Sequence, residues 1–489
     1  MPKGKLDLNS FPYYNLFDLT SFNMKIFQKI SAFCLIVVLF STLSGCRTKT
    51  PPPAVDKSER SLVVYGFEDS RDVMEPLIAK YTEKYPNYKI TYRGFSNFKE
   101  YEKLILNEMA EGGGPDLFAM PNNWFVKNRK KLVAMPSTQG AVSDVRGTFV
   151  DVVAKDLVIT DDNGIERVYG LPLYVDTLGI YYNKDQFEDK IPSTGRPAIT
   201  WDGIKSNVIA LTKIDQNDPS KFEVSGIGLG LSNVTYGSDV LKSMMLGFGA
   251  VFYDDLISKV NLSSPNSKGE YPASDALDLY ASFTDPIQRH YSYNSSVGDG
   301  LAYPDIDAFV MGKVSMVFGY STTYNFILNR RNALKSQGAQ VIDVDVIKTA
   351  YFPQKEDPAS STAKRSVLAS YFAYGINRNS KNPEIAWDLL TTLASPDLEK
   401  AYFKATNKPT SRRDLIASEK LDPIFGVFVN QVGFADTLPV TDYLEYRSFF
   451  TQVIDLVNKK TPLLTAIKTL EANIQATLPG TGYRVPLNE

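Results

Sequence analysis

The sequence predicts an α/β fold divided into two or three domains. Strand and helix patterns alternate between residues 61 and 120, and 43% of the chain is hydrophobic against 22% charged. That composition is ordinary for a packed core. With a leader set aside the chain from Cys46 onward holds 444 of the 489 residues, and domains commonly run to about 150 residues.

Residues 61–67 read as a buried strand. Residues 70–85 set Val73, Leu77, Ile78 and Tyr81 at helical spacing, and Pro86 stops the helix. Residues 89–95 alternate as a second strand. Residues 98–109 put Phe98, Tyr101, Ile105 and Met109 on one helical face. Gly112-Gly113-Gly114-Pro115 ends that helix, and residues 116–120 form a third strand. Strand, helix, strand, helix, strand implies a parallel sheet with helices on both faces.

Asp161-Asp162-Asn163-Gly164 predicts a hairpin turn of type I′. A calcium loop would need alternating ligands and a distal Glu, which this stretch lacks. The aromatic run 171–183 predicts one long strand able to pass between domains. Thr200 is placed to cap the helix that starts at Trp201-Asp202. Later helices are expected at 273–284, 383–394 and 448–458.

Ahead of the body, Met24-Lys25 and Lys29 precede an apolar run over 30–40 and then Leu43-Ser44-Gly45-Cys46. Basic, apolar, then small residues is the order of a secretory signal. The run is shorter than the roughly 20 residues a membrane span needs. Asp7 and Asp18 sit poorly in the basic region of a signal, which points to Met24 as the true start. A Cys directly after Leu-Ser-Gly resembles the lipobox of bacterial lipoproteins. That resemblance implies cleavage before Cys46 and acylation of Cys46, with residues 46–60, rich in Pro51-Pro52-Pro53, as a linker to the membrane.

Composition narrows the chemistry. The leader carries four Lys against two Asp, so the chain from Cys46 onward sits at −4 where the whole chain is at −2. Such a balance argues against nucleic acid, which wants a basic surface. Both Cys, Cys34 and Cys46, lie outside the body, which leaves it no disulfide, Cys–zinc site or Cys nucleophile. His290 is the single His, so His–metal clusters are excluded and a Ser–His triad has little room. Gly226-Ile227-Gly228-Leu229-Gly230 lacks the Lys-Ser/Thr of a phosphate loop. Gly319-Tyr320-Ser321-Thr322-Thr323 lacks the final Gly of a nucleophile elbow. Tyr and Phe number 28 each, which suits stacking surfaces as well as cores.

The body resembles the extracellular solute-binding proteins of bacterial ABC importers, the sugar-type group that includes maltose-binding protein. The landmarks, over nearly all of 61–489, are Gly114-Pro115-Asp116-Leu117, the run from Gly170-Leu171-Pro172 to Tyr182-Asn183-Lys184, Thr200-Trp201-Asp202, Gly312-Lys313 before Met316, and Tyr374-Gly375-Ile376-Asn377 followed by Asn382-Pro383 and Trp387. The resemblance implies a two-lobed, periplasmic-binding-protein-like fold of type II. One lobe takes 61–174 and 371–425, the other 175–370 and 426–489, with crossing strands as a hinge and a ligand cleft between the lobes. It implies capture of a small solute, a sugar or oligosaccharide, for a membrane permease, by a monomer with no cofactor and no catalytic residue. Rival readings are a surface glycosidase, and a sensor or adhesin lipoprotein using the same cleft.

Ligands of parallel α/β lobes bind beyond the carboxyl ends of strands. That rule selects Glu68 after the first strand, Asn123 and Trp124 after the third, and Tyr174 and Asp176 at the crossing. The resemblance adds Tyr236, Tyr293 and Tyr320 from the second lobe. Rings stack on the C–H faces of a sugar, and Glu68, Asn123 and Asp176 would pair its hydroxyls. Tyr293 stands where many sugar-binding members carry Trp, which shrinks the stacking surface. Trp201 and Trp387 are assigned to packing.

Overall fold

A computed structural model describes residues 59–255, 257–360, 363–439 and 443–478. The leader, the lipobox with Cys46 and the linker up to residue 58 lie outside the described residues. The strands used below are β1 (Arg60–Phe67), β2 (Tyr88–Phe95), β3 (Leu117–Pro121), β4 (Gly170–Pro172), β5 (Asp176–Thr177), β6 (Gly179–Asn183), β7 (Met316–Gly319), β8 (Ile347–Ala350), β9 (Val367–Ser370), β10 (Phe372–Ile376) and β11 (Ala435–Asp436). The helices are α1 (Arg71–Lys84), α2 (Phe98–Ala110), α3 (Gly237–Phe248), α4 (Thr323–Ser336), α5 (Pro383–Leu393), α6 (Tyr443–Asn458) and α7 (Leu463–Thr477).

The first lobe is built on a five-stranded sheet in the order β2-β1-β3-β10-β4. β1 runs parallel to β2 along its whole length, from Arg60 opposite Tyr88 to Phe67 opposite Phe95, and parallel to β3 on its other side. β3 and β10 are buried at every residue, as central strands covered on both faces must be. α1 buries Met74, Leu77, Ile78 and Tyr81, and α2 buries Tyr101 and Ile105. Asn97 caps α2 by accepting from the Glu100 N–H. The sheet is not wholly parallel, because β10 returns from far along the chain and pairs antiparallel with both β3 and β4.

The second lobe holds a three-stranded sheet with β6 between β7 and β8, antiparallel to each. Thr200 caps its helix Trp201–Leu211, accepting from the Gly203 N–H. α3, α6, α7 and the helix Pro272–Ser282 pack together beside it. α3 ends at Gly249, whose φ of 87° is left-handed, so that its N–H and that of Ala250 fold back on the last turn.

Two local expectations are corrected. Residues 171–183 are not one strand but three, β4, β5 and β6, because the run pairs in turn with β10, with β9 and with β7 and β8. The crossing piece β5 belongs to a small sheet, β11-β9-β5, that lies between the two larger ones in the chain's path. The hairpin at Asp161 exists, but its turn is not type I′. Asp161 and Ile165 pair through Asp161 N–H to the Ile165 carbonyl, and only Gly164 is left-handed, at φ 78°. That is the three-residue loop that ends in a left-handed Gly.

Candidate functional site

The carboxyl ends of β1 and β2 and the amino ends of α3 and α4 converge on one cavity of about 360 Å³. From the first lobe, the end of β1 delivers Phe67 and Glu68, the β2–α2 loop delivers Ser96, and the first residue of α2 is Phe98. The Phe67 ring packs at 5.4 Å from Phe98 and 4.8 Å from Phe372 at the start of β10. Glu68 adopts a left-handed backbone at φ 62°, with its N–H on the Phe95 carbonyl. A non-Gly residue there is uncommon and marks a turn held by its surroundings. The holding groups are next door: the buried Asp69 carboxylate pairs with Lys408 at 2.8 Å and accepts from the Tyr402 hydroxyl at 2.8 Å.

The second lobe supplies Tyr236 and Asp239 at the start of α3, Tyr320 and Thr322 in the β7–α4 turn, and Arg447 on α6. The rings of Tyr236 and Tyr320 meet edge to face at 5.6 Å. Thr323 fixes both, donating to the Tyr236 hydroxyl at 3.0 Å and accepting from the Tyr320 N–H at 2.9 Å. A Cβ on Gly319 would come within 2.6 Å of the Thr323 side chain, so this turn needs glycine. Asp239 is paired with Lys242 at 2.6 Å, and Arg447 donates to the Thr235 carbonyl at 2.7 Å.

The crossing segments supply the floor. The Phe372 N–H donates to the Tyr174 hydroxyl at 3.2 Å, and Tyr174 stacks on Tyr402 at 5.9 Å. Asp176, 3% exposed, accepts from the N–H and hydroxyl of Ser321 and from the Thr177 N–H. Ser370 on β9 stands opposite Asp176 in register and also lines the cavity.

Burial pushes the Asp176 carboxyl up to about 6, with the Ser321 bonds pulling the other way. The Glu68 carboxyl opens toward solvent, yet crowding by the cavity walls raises its pKa; Lys408 opposes this and Asp69 adds to it. Burial moves the Tyr236 hydroxyl up to about 12, so it stays protonated. The cavity therefore offers six aromatic rings, carboxylates, hydroxyls and one guanidinium. Rings take up apolar faces and the polar groups pair hydroxyls, a combination suited to a hydroxyl-rich ring compound. Two larger surface grooves, of about 620 and 470 Å³, contain no aromatic ring and one aromatic ring respectively.

Of the residues singled out in the sequence, Glu68, Tyr174, Asp176, Tyr236 and Tyr320 line this one cavity. Asn123, Trp124 and Tyr293 do not. Trp124 lies one layer behind, its ring 5.3 Å from Phe98, beside a small apolar cavity with Tyr101, Ile105 and Met120. Phe98 at the start of α2 occupies the forward position. Asn123 is half-buried, and its Oδ1 has no hydrogen-bond partner among the described residues. Tyr293 is 1% exposed in a second-lobe core with Ile306 and Phe309.

The cavity also contains residues that sequence reasoning passed over. Ser96 and Phe98 follow the carboxyl end of β2, so the same strand-end rule would have found them. Phe372, Asp239 and Arg447 carry no local signal, since tertiary folding alone brings them in. The weighed motifs resolve as structure: the Ser321 hydroxyl donates to Asp176, and His290 bonds the Ser282 hydroxyl at 2.7 Å against Phe283.

Residues 68–400 match the family model for bacterial extracellular solute-binding proteins. A protein of Brucella abortus (strain 2308) named as a binding protein is 22% identical over 350 residues, 68% of this chain and 73% of that protein. A maltooligosaccharide ABC transporter solute-binding lipoprotein of Streptococcus pneumoniae (strain R6) is 31% identical over 170 residues, 33% of this chain and 37% of that one. The structure of the sugar-binding protein MalE from Xanthomonas citri superposes with a TM-score of 0.66 at 16% identity, covering 85% of this chain and 97% of that one. The chain belongs to the bacterial extracellular solute-binding protein family and has its two-lobed α/β fold.

Proposed function

From that membership and the cavity between its lobes, we propose that the chain is the extracytoplasmic capture component of an ABC transporter. It takes up a sugar or oligosaccharide and hands it to a membrane permease. The observation that carries the reading is the cavity itself: six rings interleaved with carboxylates and hydroxyls, drawn from both lobes and from the crossing. The names of relatives agree, one being a maltooligosaccharide lipoprotein and another a galactooligosaccharide-binding protein of Bacillus subtilis.

In this reading Glu68, Tyr174, Asp176, Tyr236 and Tyr320 contact the solute, and Trp124 supports Phe98 from behind. The lobes run over 61–174 with 371–425 and over 175–370 with 426–489, and they close by bending at β5 and β9. Closure is driven by the solute's better contacts in the closed state. No covalent step is required. Acylated Cys46 tethers a monomer to the membrane through the linker.

The test is a thermal-shift screen of the protein with mono- and oligosaccharides, polyols, amino acids and short peptides. A solute that binds only the folded state raises the melting point by mass action. A shift with a carbohydrate that survives incubation intact supports capture. A shift only with peptides or amines overturns the carbohydrate class, and breakdown of the sugar overturns capture in favour of hydrolysis.

A further inference from the structure

The cavity wall is held from behind by a cation that does not reach the cavity. Lys408 is 5% exposed, and its ammonium sits 2.8 Å from Asp69 Oδ1. The same ammonium lies over the Tyr174 ring at 4.5 Å and the Tyr402 ring at 5.7 Å. Tyr402 donates to both Asp69 oxygens, and the Tyr92 hydroxyl donates to the Asp69 carbonyl at 2.9 Å. The main chain around Lys408 is fixed as well. Asn407 before it is left-handed at φ 62°, and the carbonyl of Pro409 after it accepts from the Val175 N–H at 2.9 Å. Lys408 therefore joins three segments far apart in sequence: the turn after β1, the crossing at Tyr174 and Val175, and its own.

A buried ion pair contributes little net stability when both charges must be desolvated. Such a pair can fix one geometry instead, and here the geometry belongs to two groups that do line the cavity, Glu68 and Tyr174. Cation–π contact holds the Tyr174 ring from its rear face. The ion pair holds Asp69, and so the left-handed turn at Glu68.

We propose that Lys408 is a positioning residue of the solute cavity: through Asp69 and the Tyr174 ring it sets the placement and charge of the wall without touching the solute. The role rests on this cavity being the solute site. Lys408 and Asp69 are the charges that act on Glu68 from its own wall, while Asp176, Asp239 and Arg447 line the same cavity and the tyrosines stay neutral.

The two neighbours act on Glu68 with opposite sign, and that makes the test. The Glu68 carboxyl is titrated by 13C NMR in the whole protein labelled at Glu, its signal identified by its loss in Glu68→Gln. Lys408→Met is expected to move the Glu68 midpoint up by about one pH unit, Lys408→Arg to hold it, and Asp69→Asn to move it down. A change of fold alone would not give shifts of opposite sign. Unchanged midpoints in Lys408→Met and Asp69→Asn overturn the proposal. Should Lys408→Met not fold, Asp69→Asn alone decides, and a midpoint that rises or stays overturns it. The titration needs no ligand. A flat carbohydrate screen beside the expected shifts would sink the sugar reading alone, and a bound carbohydrate beside absent shifts would sink the role of Lys408 alone.

Discussion

The carboxylate of Asp176, on the strand that crosses between the lobes, holds the N–H of Ser321 at 3.0 Å and its hydroxyl at 2.7 Å. Ser321 belongs to the turn that carries Tyr320 and Thr322 into the cavity. One side chain thus ties the hinge to a wall of the site, through Ser321, which is 1% exposed. Asp176→Ala is expected to cost about 1–3 kcal/mol by orphaning the Ser321 N–H. Asp176→Asn, which can still accept one bond, is expected to cost less. Urea unfolding of both variants measures the order, and an alanine variant as stable as its parent would show that Ser321 finds another partner.

How much of this was legible beforehand depends on sequence distance. β1, α1, β2, α2 and β3 follow one another with their own periodicities, so the pattern from Leu62 to Met120 specified a parallel sheet. The insertion of Phe372 and β10 into that sheet had no local sign, because antiparallel pairing with β3 is a matter of tertiary register. Trp124 was read as a stacking ring since it follows a strand. Nothing in its own segment says that Phe98, at the start of α2, stands in front of it. Arg447 reaches the cavity from a helix near the far end of the chain, and no motif marks it.

The layering of rings separates binding from packing. Tyr320→Ala removes a ring from the cavity wall and is expected to weaken carbohydrate binding by about 1–3 kcal/mol, the scale known for stacking on nucleic-acid bases. Trp124→Ala empties a buried site, 7% exposed, and is expected to cost about 3–5 kcal/mol of stability. Calorimetric titration and thermal melting on both variants check the split. A Trp124→Ala protein with full stability and lost binding would return Trp124 to the site.

Gln431 makes the back of the hinge a closed polar network. Fully buried, it donates to the Thr177 hydroxyl and the Leu178 carbonyl, each at 3.1 Å, and accepts from the Phe352 N–H at 2.8 Å. Leu has a similar volume but satisfies none of the three. Gln431→Leu is expected to destabilise by about 2 kcal/mol or more, because the Phe352 N–H and the Leu178 carbonyl are orphaned at about 1–3 kcal/mol each, while the Thr177 hydroxyl keeps its bond to the Phe428 carbonyl. Chemical denaturation measures this, and a loss below about 1 kcal/mol would mean the orphaned groups re-pair.

The anchor is testable apart from the fold. Cys46→Ser removes the thiol that a lipid would join, so the variant is expected to stay uncleaved or to leave the membrane fraction. Fractionation with labelled fatty acid reads both outcomes. Normal cleavage and lipid labelling of the Ser variant would rule out Cys46 as the attachment point.

The segment that carries Lys408 is also where acid chemistry bears on stability. Glu399 is fully buried and accepts from the Thr410 hydroxyl at 2.9 Å, the Ser411 N–H at 3.1 Å and the Ser411 hydroxyl at 2.7 Å. Burial pushes its carboxyl up to about 8, with those bonds and Arg412 pulling down. Glu419, whose Oε2 accepts from the Thr410 N–H, is raised to about 7 by the same cause, with Lys400 opposing. Unfolded, each would lose its proton near 4.5. Between about 4.5 and 8 the folded state therefore holds protons that the unfolded state has released, and stability falls as pH rises through that window. A rise in pKa of this size corresponds to at most about 5 kcal/mol for Glu399. Glu399→Gln is expected to flatten the decline, and a double variant with Glu419→Gln to flatten it further. Melting temperatures from pH 5 to 8.5 give the slopes, and a double variant that declines as steeply as its parent would put the pH dependence elsewhere.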